Sequence, residues 1–132
     1  MAIDKEVGYW REEMEKSLAG ARTVKAAGLL FTTGITSVDD DGKVVGAGDM
    51  AAQVTQVYST IGKILMKNNL TFENVVKEVI YVTDGKAFFD AHQIRIDNYQ
   101  GLMPPAITGV EVVGLFNPDL LIEVDITAVC EN

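Results

Sequence analysis

An α+β domain, with a mixed β-sheet and two long helices on one sheet face, is what this chain predicts, and three observations carry the prediction. Hydrophobic residues alternate in the first third, recur with the helical period of about 3.6 from Asp49, and alternate again beyond Pro104 and Pro105. Gly, Asp, Asn and Pro fall at the joins between these runs, where turns need permissive or helix-breaking residues. Hydrophobic residues make up 48% of 132 positions, enough for one core and too short a chain for two ordinary domains. The expectation is a single domain over 1–132, with 1–19 forming an N-terminal helical arm.

Val7, Trp10, Met14 and Leu18 recur at spacings of three and four, with acids between them, so Lys5–Leu18 reads as a short amphipathic helix. Thr23-Val-Lys-Ala-Ala-Gly28 followed by Leu29–Thr33 reads as a hairpin. Asp39, Asp40, Asp41 and Gly42 form its neighbouring turn; Lys43, Val44 and Val45 sit where a calcium loop would need oxygen ligands. Asp49 is placed to cap a helix whose apolar face is Ala52, Val54, Val57, Tyr58, Ile61, Ile64 and Leu65, with Gln53, Gln56, Lys63 and Lys67 largely opposite. Asn68 and Asn69 close it. Val75–Thr83 reads as a strand ending at the Asp84-Gly85 turn, and Lys86–Tyr99 as a second helix stopped by Met103-Pro104-Pro105. Strands over 107–115 and 120–129, divided by Asn117-Pro118, finish the chain. Leu121, Val110 and Val112 imply more apolar area than two helices cover, so the second sheet face is expected to meet another copy.

Composition restricts the function. With 19 acids against 11 bases the formal charge is −8, opposite to the basic stripe that displaces counterions from nucleic-acid phosphates. Lys63 and Lys67, on one helix turn, read as a solvated face. No apolar run reaches the roughly 18–20 residues of a membrane span, Met1–Val7 lacks a signal-peptide pattern, and the one cysteine, Cys130, fits a reducing compartment. A cytoplasmic protein is expected. H-E-x-x-H, C-x-x-C, G-x-S-x-G and phosphate-cradling glycine motifs are missing, and one His with one Cys makes no zinc site. Two residues remain. His92 is either a proton shuttle or a helix-surface or packed histidine. Glu123 interrupts an apolar strand and must find solvent, an ion pair, or a pocket where it positions water or a proton.

Four blocks, Thr23–Gly34, Val75–Asp84, Pro105–Val112 and Leu121–Val124, resemble in order and spacing the RidA/YjgF family of reactive-intermediate deaminases, over most of the chain from about Gly20. The resemblance implies a chorismate-mutase-like (YjgF-type) protomer and a homotrimer with clefts between subunits. It also implies cofactor- and metal-free hydrolysis of small enamines or imines such as 2-aminoacrylate. In such a cleft an arginine after Pro-Ala clamps the substrate carboxylate and a glutamate on the last strand helps activate water. An N-terminal tyrosine, a Ser-Gly step followed by glutamine, and a helix asparagine line it.

Carried over by position, Glu123 takes the glutamate's place and Thr33 and Gly34 the Ser-Gly step. Gly20 stands at the tyrosine, Ile35 at the glutamine, His92 or Gln93 at the asparagine, and Ile107 at the arginine. An apolar Ile107 cannot hold a carboxylate, and losing a charge-assisted pair costs on the order of 2–4 kcal/mol. Arg22 or Arg95 either supplies that cation from another angle or is an ordinary surface arginine; alternatively the cleft takes a less charged ligand, closed by Tyr9 or Trp10. The sequence thus predicts a divergent deaminase with Glu123 and Thr33 catalytic, and Gly34, Ile107, His92, Gln93 and Arg22 binding substrate. The alternative is a non-catalytic small-ligand-binding or chaperone-like trimer. RNA cleavage, named for some relatives, is weakest on charge.

Overall fold

The computed structural model describes residues 3–130. Seven strands form one sheet: β1 (Glu6–Gly8), β2 (Thr23–Ala26), β3 (Leu29–Thr32), β4 (Ile35–Thr36), β5 (Val75–Val82), β6 (Ala106–Glu111) and β7 (Ile122–Val129). Their order is β1-β2-β3-β7-β5-β6, with β4 also on β7. All pairings are antiparallel except β5 with β6, which is parallel because α3 makes the crossover between them.

Three helices are α1 (Glu12–Ser17), α2 (Met50–Lys67) and α3 (Gly85–Asp97). Asp49 and Asp84 cap α2 and α3, each side chain accepting the amide three residues on. The β2–β3 turn places Ala27 and Gly28 at φ 53° and 77°, the left-handed pair a two-residue hairpin needs. The long helices lie on one sheet face, over a core that includes Leu30, Val57, Ile61, Ile80, Ile122 and Val124. The expected α+β protomer is therefore the observed one.

Four expectations are corrected. Lys5–Leu18 is not one helix: Glu6–Gly8 pairs with Thr23–Lys25 as an edge strand, and the helix begins at Glu12. Sheet pairing there outweighs a weak helical period. The strand expected over 107–115 is Ala106–Glu111, and Val113 and Phe116 lie fully exposed beyond it. Gln53, expected on the polar side of α2, is fully buried. Its amide donates to the Gly46 and Asp119 carbonyls at 3.0 and 2.9 Å and accepts Leu121 N at 2.8 Å, tying two loops to the helix. Arg95, read in one alternative as a surface arginine, is also buried.

The sheet's second face is open in the protomer. Phe31 and Val110 on that face are 42% and 41% exposed, and Glu123 and Asp125 project from it.

Candidate functional site

Glu123 and Gly34 meet where β4 joins β7. Ile35 pairs with Val124 and Thr36 with Glu123, which brings the turn before β4 against the Glu123 side chain. A Cβ built on Gly34 would stand 2.6 Å from Glu123 Cδ and 2.8 Å from Cγ, so only glycine lets the carboxyl lie against this backbone. Gly34 is thus needed for close approach. Thr33 precedes it with an exposed side chain, its amide donating to the Arg22 carbonyl at 2.9 Å.

Partial burial raises the Glu123 pKa, and the like charge of Asp125, two residues along the same strand face, raises it further. Asp125 is itself raised by burial, with Lys77 pulling the other way. The arrangement offers a half-buried carboxyl that holds a proton more readily than an ordinary glutamate, lying against a bare backbone turn.

Ile107 does not share this face. In β5, Tyr81 pairs with Glu123 and Glu78 with Ile107. Positions 81 and 78 project to opposite sides of a strand, so Ile107 lies at the helix-covered side on the edge strand. His92 and Gln93 sit on α3, the former half-buried against Phe88 at 4.9 Å between ring centres, the latter bonded to Asp97 at 2.8 Å. Arg22 turns into a groove beside Trp10. Within one protomer, then, Glu123 and Gly34 come into contact, with Thr33 next to Gly34 in the chain, while Ile107, His92, Gln93 and Arg22 lie elsewhere.

The sequence reading missed a second constellation, on the helix side. Glu78 is fully buried and accepts hydrogen bonds from Tyr58 (2.6 Å), from Tyr99, and from Arg95 Nε and Nη2 at 3.2 and 3.3 Å. Burial and then the Glu78 charge push both phenols above their usual range, so they stay protonated donors. Burial pulls the Arg95 guanidinium down, and Glu78 more than offsets it.

Arg95 Nη1 also stands 3.4 Å from His92 Nε2. A guanidinium can only donate, so Nε2 accepts and the ring proton sits on Nδ1. Burial and then Arg95 lower the His92 pKa, which keeps the ring neutral near pH 7. Arg95 is a buried cation on Ile107's side of the sheet, yet Glu78 already engages it. One signal was available: alternation along Val75–Val82 puts Glu78 inward with Ile80 and Val82, and an inward charge demands a partner.

A sheet of this order with two helices on one face is a YjgF-type protomer. The family profile described as Endoribonuclease L-PSP matches residues 17–130. The chain is 31% identical over 109 residues to a RutC family protein of Synechocystis, covering 82% of this chain and 83% of that one. It is 33% identical over 100 residues to a protein named 3-aminoacrylate deaminase RutC from Acinetobacter baylyi, covering 76% and 78%. The crystal structure of a YjgF/YER057c/UK114 family member from Mycobacterium tuberculosis is similar with a TM-score of 0.79 at 25% identity, covering 96% of this chain and 99% of that one. The chain belongs to the RidA/YjgF family.

Proposed function

We propose that this protein is a cofactor-free hydrolase of small imines or enamines, working as a homotrimer in clefts between subunits, with Glu123 as its acid/base. The observation that carries the reading is the Glu123 carboxyl seated against Gly34 with its proton affinity raised. Glu123 takes a proton from a water that adds to the imine carbon, then returns it to the nitrogen. As the carbinolamine collapses, its hydroxyl proton passes to the departing nitrogen, so ammonia leaves, the carbonyl product remains, and one water is consumed overall. Thr33 hydrogen-bonds the water, and backbone amides near Gly34, together with those near Ile107 of a neighbouring subunit, take the substrate's polar end. His92 and Gln93 of a neighbouring subunit line the cleft.

The relative named as a 3-aminoacrylate deaminase supports the reaction class. The formal charge of −8 favours it over cleavage of RNA. Exposed Phe31, Phe89, Ile107 and Val110 supply apolar surface for the neighbouring copy. Sedimentation is expected to give three chains.

With Ile107 at the clamp position and Arg95 engaged by Glu78, the preferred substrate has no carboxylate on the reacting unit. Turnover of a carboxylate-bearing imine compared with its methyl ester tests this; the ester is expected to be the better substrate. Equal or greater turnover of the free acid would show that another cation serves as the clamp.

Two variants follow. Gly34→Ala keeps a backbone conformation any residue adopts but displaces the Glu123 carboxyl. It should fold normally and lose about 100-fold in activity, the cost of roughly a 1 Å misplacement. Asp125→Asn removes the like charge that helps raise Glu123. Activity that needs ionised Glu123 falls as pH drops through its pKa, so this variant should carry the acid limb of the rate profile to lower pH. Because burial is the larger cause, the limb stays above that of an ordinary glutamate.

A further inference from the structure

Between the β1–β2 edge and α2 lies a groove of about 400 Å³ that includes neither Glu123 nor Gly34. We propose that this groove is a binding site for a small planar carboxylate, anchored by Arg22 and separate from the Glu123 site.

The groove is built rather than incidental. Trp10 is held in place because the buried Glu15 carboxylate accepts the amides of Trp10 and Arg11, both at 2.8 Å. Arg22 is held by its backbone, donating to the Gly8 carbonyl and accepting from Thr33 N, both at 2.9 Å. Its guanidinium then stacks 4.4 Å from the Trp10 ring centre. Stacking occupies the face of a guanidinium and leaves its N–H edge free.

That edge has no carboxylate partner among the described residues: the ion pairs there join other residues, and Glu15, the acid that acts on Arg22 through space, is committed to backbone amides. Burial lowers the Arg22 pKa, the mark of a cation that has lost water without gaining a direct counter-ion.

Charge and shape then define the ligand. Lys25 from β2 and Lys63 and Lys67 from one side of α2 join Arg22 on the walls, against Glu6, Asp39 and Asp40. Cations therefore outnumber acids here in a chain whose formal charge is −8. A free guanidinium edge matches the two oxygens of a carboxylate, and Tyr9, Trp10 and Ile64 line the groove with apolar surface for an aromatic or unsaturated body. The volume falls within the roughly 300–1,000 Å³ of small-molecule sites. Lys63 and Lys67, expected to be merely solvated, are exposed but face this groove.

Trp10 is the single tryptophan of the chain, so its fluorescence reports occupancy directly. Titration with benzoate is expected to give a saturable change with Kd below about 1 mM, and benzamide or inorganic phosphate at least about tenfold weaker binding. Arg22→Lys keeps the charge and loses the fork, and should raise the benzoate Kd about tenfold. Lys63→Ala/Lys67→Ala leaves the Trp10–Arg22 stack alone and should raise it several-fold, whereas Glu123→Gln should leave it unchanged. A benzoate change that fails to saturate, equal affinity for benzamide, or phosphate binding as tight as benzoate overturns the proposal. So does loss of the response in Glu123→Gln, which would place the ligand in the deaminase cleft.

Discussion

Arg95→Met is expected to destabilise the fold by about 3–5 kcal/mol, the usual cost of leaving a buried charge without its partner. The side chains of Glu78 and Arg95 are 0% and 8% exposed, so water cannot replace the lost cation without opening the α3–sheet contact. Tyr58 and Tyr99 remain as donors to Glu78 but carry no charge to balance it. Unfolding in urea measures the effect. The double variant Glu78→Leu/Arg95→Met should recover only part of it. It removes the charge but strands two phenolic hydroxyls, at about 1–3 kcal/mol each. A loss below about 1 kcal/mol for Arg95→Met would mean that the pair is hydrated and that the network does not brace α3.

The second large effect is on rate. Glu123→Gln keeps the size and polarity of the side chain and removes its titration. In an enzyme that moves a proton through Glu123, kcat should fall by about 10²–10⁴. KM should change little, because the amide still fits against Gly34. The melting temperature should hold or rise, since a half-buried acid beside Asp125 is replaced by a neutral group. A parallel loss of kcat and stability would instead make Glu123 a structural residue.

Most of the fold was legible because its signals are local. Asp49 and Asp84 cap the helices they precede, Ala27-Gly28 turns the hairpin, and alternation along Ile122–Val129 sets four side chains inward. What was not legible depends on residues far apart in the chain. The edge strand Glu6–Gly8 exists because β2 offers it a partner, and no short-range pattern reveals that. The polar residues of the core were misjudged for a related reason. Gln53 satisfies three backbone groups near residues 46 and 119–121, and Arg95 reaches back to residue 78. Each reads as outward-facing until its partner is known.

The candidate site divides in the same way. Thr33, Gly34 and Glu123 were named from position, and the strand pairing of β4 with β7 brings the last two into contact. Ile107 was named beside them, but strand parity sends it to the other sheet face. Only a neighbouring copy can bring such a position to the Glu123 cleft. Arg22 faces a groove whose walls come from the first hairpin and α2, a meeting that spacing alone does not disclose.

The most direct test of the proposed chemistry is ammonia release by the wild-type protein from a small imine that lacks a carboxylate, followed across pH. The expected result is release well above the rate in free solution, with an acid limb higher than an ordinary carboxylate would give. Release no faster than in buffer at any pH, while the same compounds raise the melting temperature, would contradict it and identify a ligand-binding protein that kept the fold without the reaction.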